Sequence, residues 1–184
     1  EFTASQSLNF GGSVVNTGTI SVNAGTLTMP FADGSNEGTL AIASGAVLST
    51  NGSSLNNGST AYLTGSGTLD LGSGTLTNSG IIKPGGYGTV GTLSITGNLV
   101  LGSSGMLEID ATGKESGMYD VLAVSGTTAM GGALQATITG FTPVNGDYLP
   151  FLTSGGTASG TFTTVTALTG FNAGYNLATG EAAR

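Results

Sequence analysis

Cysteine and histidine are both missing from this chain of 184 residues. Without cysteine there is no disulfide scaffold, the usual brace of a small secreted domain. A thiol-free chain suits export in an unfolded state, since no premature cross-link can lock a loop; it equally suits a core that needs no cross-links. Lacking both residues, the chain has no Ser-His-Asp or Cys-His nucleophile system and none of the common zinc-ligand sets. Positive charge is nearly absent too. Lys83, Lys114 and Arg184 stand against ten acids, for a net charge of −7. Nucleic-acid binding needs a basic footprint, and this sequence has none. An anionic membrane surface is disfavoured on the same ground. No apolar run approaches the ~18 residues of a spanning helix, so no membrane insertion of this segment is expected. No stretch reads as a signal peptide, and Glu1-Phe2 reads as a cloning scar or a mature start.

What is plentiful is glycine, 34 residues of it, with serine and threonine between apolar positions. Low charge with such a composition could mean disorder. A hydrophobic fraction of 38% and regular apolar alternation argue against it. No window carries a helical i, i+3, i+4, i+7 stripe, and glycine interrupts every candidate.

A phrase returns along the first half: Asn16-Thr-Gly18-Thr-Ile20, Asn36-Glu-Gly38-Thr-Leu40, Asn56-Asn-Gly58-Ser-Thr60 and Asn78-Ser-Gly80-Ile-Ile82. The glycines Gly18, Gly38, Gly58 and Gly80 recur at intervals of 20, 20 and 22. A fixed period of this size marks a stacked-repeat architecture. It is too short for a helical hairpin and fits one coil of a β-solenoid, an all-β parallel β-helix with coils of about 20 residues. Asn16, Asn36, Asn56 and Asn78 are expected to form an axial ladder, because asparagine tolerates tight corners and stacked amides bond along the axis. Ile20 should stack on Leu40, Val22 on Ile42, and Leu27, Val47 and Leu69 on one another. An inserted Gly65-Ser66 accounts for the interval of 22. Residues 1–15 read as an irregular first coil and 16–82 as the clean repeat. From about residue 83 the coils lengthen without a linker, so 1–184 reads as one solenoid, regular over 1–83 and less so over 84–184. Residues 111–118 read as a loop, and strands are expected at 119–124, 133–138, 148–152, 160–165 and 170–177.

Few residues could carry chemistry. The acids cluster at Glu108, Asp110, Glu115 and Asp120. Glu108 and Asp110 lie two apart, hence on one strand face, outward if Leu107 and Ile109 point in. Such a pair could serve glycoside hydrolysis, hold Ca²⁺, or be a plain solvated face; Asp120 reads as the cap of a strand corner. The spacing Gly86-Tyr-Gly88-Thr-Val-Gly91 fits a dinucleotide fingerprint, yet no helix follows and it reads as turn glycine. Gly65-Ser-Gly67-Thr-Leu-Asp70 approximates a calcium nonapeptide repeat with its acid displaced, and it does not recur. Asn51-Gly-Ser53 and Asn57-Gly-Ser59 are formal glycosylation acceptors that read as turns. Thr-x-Thr pairs at Thr26/Thr28, Thr75/Thr77 and Thr161/Thr163 do not form the unbroken array of an ice-binding face. Tyr62, Tyr87, Tyr119, Tyr148 and Tyr175 could stack on sugars only if several shared a groove.

Over residues 78–165 the succession of motifs resembles a known family. It runs through Asn78-Ser-Gly-Ile-Ile-Lys-Pro84-Gly85, Gly91-Thr-Leu-Ser-Ile-Thr-Gly97, Leu107-Glu-Ile109 and Tyr119-Asp120-Val-Leu122-Ala-Val124-Ser-Gly126. It continues with Gly131-Gly-Ala-Leu134, Gly140-Phe-Thr-Pro-Val-Asn-Gly146-Asp-Tyr148-Leu-Pro-Phe-Leu152 and Gly160-Thr-Phe162. This order, about half the chain, resembles the membrane-proximal passenger region of bacterial autotransporters (type V secretion) and related repeat-built adhesins. The resemblance implies a right-handed parallel β-helix outside a Gram-negative-type cell. The chain departs from a whole autotransporter in having no C-terminal barrel, which implies a fragment, a processed passenger, or a relative secreted otherwise. The expectation is a non-catalytic surface β-helix, a stalk or display segment with no cofactor. Its expected partners are host or cell-surface glycans or proteins, or further copies meeting at the solenoid ends. Two other classes stand beside it: a self-assembling extracellular fibre subunit, and a polysaccharide-acting enzyme on a β-helix scaffold.

Overall fold

The structure is a computed structural model. It describes the chain apart from residues 2, 9–12, 32–33, 167–173, 175–180 and 184. Phe10, most of the strand expected at 170–177, and Tyr175 thus lie outside the described residues. The rest forms a parallel β-solenoid of about six turns, about 23 residues per turn, without a helix among the described residues.

Each coil lays down three short strands on three faces. The first face collects Thr19–Val22, Thr39–Ile42, Tyr62–Gly65, Ile81–Pro84, Met106–Ala111, Ala133–Ile138 and Thr164–Thr166. The second runs from Gln6–Ser7 through Thr26–Thr28, Val47–Ser49 and the first part of Thr68–Asn78. It continues with the first part of Thr92–Leu101, then Val121–Val124 and Leu152–Ser154. The third holds Val15–Asn16, Ser35–Asn36, Leu55–Asn57, the remainders of Thr68–Asn78 and Thr92–Leu101, Thr128–Met130 and Ala158–Gly160. Coil-to-coil pairing is parallel throughout these faces; Glu181–Ala183 adds an antiparallel partner to Leu152–Ser154, and Ala111 forms an antiparallel bridge with Tyr119. Parallel strands at one-coil intervals bury one face of every strand, and alternation puts each second side chain inside.

The inner rows follow from this register. Ile20 pairs with Leu40 and Val22 with Ile42. Leu40, Leu63, Ile82, Leu107 and Leu134 continue the first row, all at most 3% exposed. The second face differs from the sequence expectation by one residue. Leu48, not Val47, lies between Leu27 and Leu69, because the corner between Ile42 and Val47 holds one residue more than that between Val22 and Thr26. Val47 turns outward and Leu48 is fully buried. The expected Gly65-Ser66 insertion is likewise corrected. The extra residues sit in the preceding corner, Gly58–Ala61, and the corner from Gly65 to Thr68 is shorter by the same two. Corners absorb length differences so that the strands stay in register.

Beyond Ile82 the coils grow. First-face partners recur after 25, 27 and 31 residues, against 20, 23 and 19 before. The excess leaves the solenoid as loops. Strands expected at 148–152 and 160–165 are seen instead at Leu152–Ser154, Ala158–Gly160 and Thr164–Thr166. The segment before Leu152 packs Leu149 on Ala111 and Tyr119, with Val121, Ile138 and Phe141 at its margin, in a small cluster outside the main core.

Candidate functional site

Two polar arrangements are built into this stack. The first lies where the third face turns into the first. The asparagine ending each of the first four third-face strands points inward there, and its amide meets carbonyl groups that the turning backbone leaves over. Asn16 Nδ2 donates to Asn36 Oδ1, Asn36 Nδ2 to Asn57 Oδ1, and Asn57 Nδ2 to Asn78 Oδ1, each at 2.7 Å. The same amides donate to corner carbonyls: Asn16 to Gly18 O, Asn36 to Gly38 O and Asn78 to Gly80 O, at 3.2, 3.2 and 2.9 Å. Asn16 and Asn36 also reach the next coil, at Thr39 O and Tyr62 O. All four residues are buried, Asn36 and Asn78 completely.

The third rung is Asn57. Asn56, the residue expected there, is exposed. Pairing of Asn36 with Asn57 fixes this, and the extra residue in the corner between Ile42 and Val47 is what moved the asparagine one step along. Of the repeat glycines, Gly38 and Gly80 are required by close approach: a Cβ would come within 2.1 Å of Gly18 O and 2.2 Å of Gly58 O. At Gly58 the obstacle is the flexible Glu37 carboxylate, and at Gly18 there is open space.

The second arrangement lies on the outside of the first face. Pairing of Ile82 with Leu107 puts Lys83 and Glu108 at equivalent outward positions of neighbouring coils. Lys83 Nζ lies 3.1 Å from Glu108 Oε2 and 3.3 Å from Asp110 Oδ2. The three side chains are 8, 17 and 19% exposed. Burial pulls the ammonium pKa down, but the two carboxylates outweigh it and the net direction is up. Tyr87 covers the group, its ring centroid 5.5 Å from Nζ, and leans on Tyr62 at 6.3 Å between centroids. Charge under an aromatic face adds a modest attraction. Behind it Asp120, fully buried, accepts the Gly91 amide through Oδ1 and the Asp110 amide through Oδ2, both at 2.8 Å. Burial pushes its carboxyl up to about 7, against the lowering by those two amides; the Asp110 charge adds to the rise and Lys83 opposes it.

Glu108 and Asp110 therefore share an outward face, but it is not a plain solvated one. The position between them, where a calcium ion would sit, is taken by the Lys83 ammonium. Among the described residues no group of three or more acids is placed to hold a metal. Both acids are engaged by the same ammonium. Tyr62 and Tyr87 meet, whereas Tyr119 and Tyr148 belong to the loops around the small outer cluster, so among the described residues the tyrosines share no single groove. Thr26 and Thr28 face Val47 and Ser49 in the next coil, which breaks the threonine array. Sequence reasoning did not pair Lys83 with these acids, and it weighed Tyr87 only for sugar stacking, not as the cover of Lys83. The signal for Lys83 was its place one residue after Ile82, matching that of Glu108 after Leu107.

No family model, curated protein or solved structure matches this chain. The class defined by fold and site is a parallel β-solenoid with an internal asparagine ladder and a lysine–carboxylate cluster on one face.

Proposed function

We propose that the chain is a non-catalytic, structural β-helix of a bacterial cell surface, a stalk or display segment of an autotransporter-like adhesin. The observation that carries this reading is the spine. An asparagine ladder and continuous apolar rows couple every coil to its neighbours, and no buried side-chain nitrogen or oxygen among the described residues lacks a partner. Such a stack resists extension and dissolution by summing nearest-neighbour interfaces, which is what a stalk needs. The pairing of both acids with Lys83 supports the non-catalytic reading. Partners would be glycans or proteins met on the outer faces. The test has two parts. The gene product in its own cells should be accessible to surface labelling and external protease. The purified chain should show no turnover of acidic or neutral polysaccharides. Turnover that is lost in Glu108→Gln or Asp110→Asn would replace this reading with that of an enzyme.

A further inference from the structure

The dipeptide Asn-Gly occurs at Asn51-Gly52, Asn57-Gly58 and Asn145-Gly146, and the fold treats the three differently. Glycine has no Cβ to shield its amide nitrogen. That nitrogen can attack the preceding side-chain amide carbon: the N–Cγ bond forms, the Cγ–Nδ2 bond breaks, and ammonia leaves with the glycine proton. Water then opens the cyclic imide at either carbonyl, giving aspartate or the isoaspartyl isomer.

Asn51 and Gly52 are the exposed centre of a tight turn with positive φ at both, 54° and 84°. Among the described residues neither the Asn51 side chain nor the Gly52 nitrogen has a protein partner; only the Asn51 backbone nitrogen is engaged, by Ser49 Oγ. The turn is held from its flanks, where buried Thr50 donates through Oγ1 to Ser53 O and through its backbone nitrogen to Asp70 O. Asn145 and Gly146 are likewise exposed, and the Asn145 side chain and Gly146 nitrogen have no protein partner among the described residues. Asn57 is the opposite case. Its Oδ1 accepts from Asn36 and its Nδ2 donates to Asn78, both at 2.7 Å. The attacking atom, Gly58 N, is committed to Asn36 O at 2.8 Å. Neither carbon nor nitrogen can approach without breaking the ladder.

We propose that Asn51 and Asn145 are sites of spontaneous deamidation and isomerisation in the folded protein, and that the asparagine ladder protects Asn57, so that conversion at Asn57 reports opening of the coil. The outcome at the two kinds of site differs. A carboxylate at 51 faces water. At 57 it would set oxygen against Asn78 Oδ1, so a chain converted there while open would close poorly.

The test is peptide mapping by mass spectrometry after incubation at mildly alkaline pH, native and in urea. In the native protein Asn51 and Asn145 should gain the mass of NH₂-to-OH exchange. Asn57 should convert at least about a hundredfold more slowly, or ~2.7 kcal/mol of opening at 1.36 kcal/mol per decade. In urea all three should convert within roughly threefold of one another, since local protection is gone. Conversion of native Asn57 at the rate of Asn51 would overturn the proposal, as would an intact Asn51 while the urea sample converts. Asn51→Asp should leave the urea midpoint unmoved, and Asn57→Asp should lower it.

Discussion

Asn36 is the rung where the ladder is best defined, and removing its side chain should be among the costliest polar substitutions in the protein. Its amide donates to Asn57 Oδ1, Gly38 O and Tyr62 O; its carbonyl accepts from Asn16 Nδ2 and the Gly38 amide. Asn36→Ala deletes all of these at a site with no exposure. Asn16 keeps two carbonyl acceptors. Asn57 Oδ1 loses this partner and is left in the interior, while the half-buried Gly38 nitrogen can turn to water. One stranded polar group at about 1–3 kcal/mol, beside several lost bonds at about 1 kcal/mol net each, gives a destabilisation on the order of 3–5 kcal/mol. With a urea slope of about 2 kcal/mol/M, the midpoint should fall by roughly 2 M. Asn36→Asp is the sharper variant. It keeps the acceptor but aims a second oxygen at three oxygens, so it should be worse than alanine at neutral pH and recover in part on acidification. The control is Asn56→Ala, whose exposed side chain should matter by no more than about 0.5 kcal/mol. Should Asn36→Ala and Asn56→Ala unfold at the same urea concentration, the ladder contributes nothing measurable and the reasoning fails.

Leu40→Ala removes a fully buried row member and should cost roughly 2–5 kcal/mol by urea denaturation; an unshifted midpoint would place the core elsewhere. Asp120 has a folded-state pKa raised to about 7 from 3.8. Its folded form thus holds a proton the unfolded form has released, and stability is full below pH ~4 and declines up to pH ~7, by as much as roughly 4 kcal/mol. Asp120→Asn should flatten that stretch of the stability–pH curve, and an unaltered slope would exclude Asp120 as its source. Lys83→Met leaves Glu108 and Asp110 facing each other unneutralised, so it should lower the melting midpoint at pH 7 more than at pH 4. Calcium should restore part of that loss in the variant while leaving the unaltered protein's midpoint in place; a calcium response in both would mean that the ammonium does not occupy the cation position.

Repetition made much of the stack legible in advance. Asn16, Asn36 and Asn78, like Ile20 with Leu40 and Val22 with Ile42, could be aligned from the text because identical coils repeat identical letters. The misplacements fall where corner length varies. Asn56 was preferred over Asn57, and Val47 over Leu48, since counting from a glycine presumes a corner of constant size. Apolar alternation cannot correct a slip when both neighbours are asparagine, or when Val47 and Leu48 are both apolar. The lysine–carboxylate cluster was only half visible: two acids two apart announce a shared face, but the Lys83 that neutralises them comes from the preceding coil. Asp120 could be read as a corner cap, while its complete burial depends on the loop from Gly85 to Gly91 folding over it.

The unequal coils have a further meaning. First-face intervals range from 19 to 31 residues, yet the strands remain paired in one parallel column. Everything that varies is pushed outward into corners, and everything that must match stays on the axis. Closing a longer loop costs little, about 0.6 kcal/mol per doubling. Such a chain can therefore gain, lose or decorate loops, or duplicate a coil, without renegotiating its interior. Its outer surface is free to diversify while one unaltered scaffold carries it.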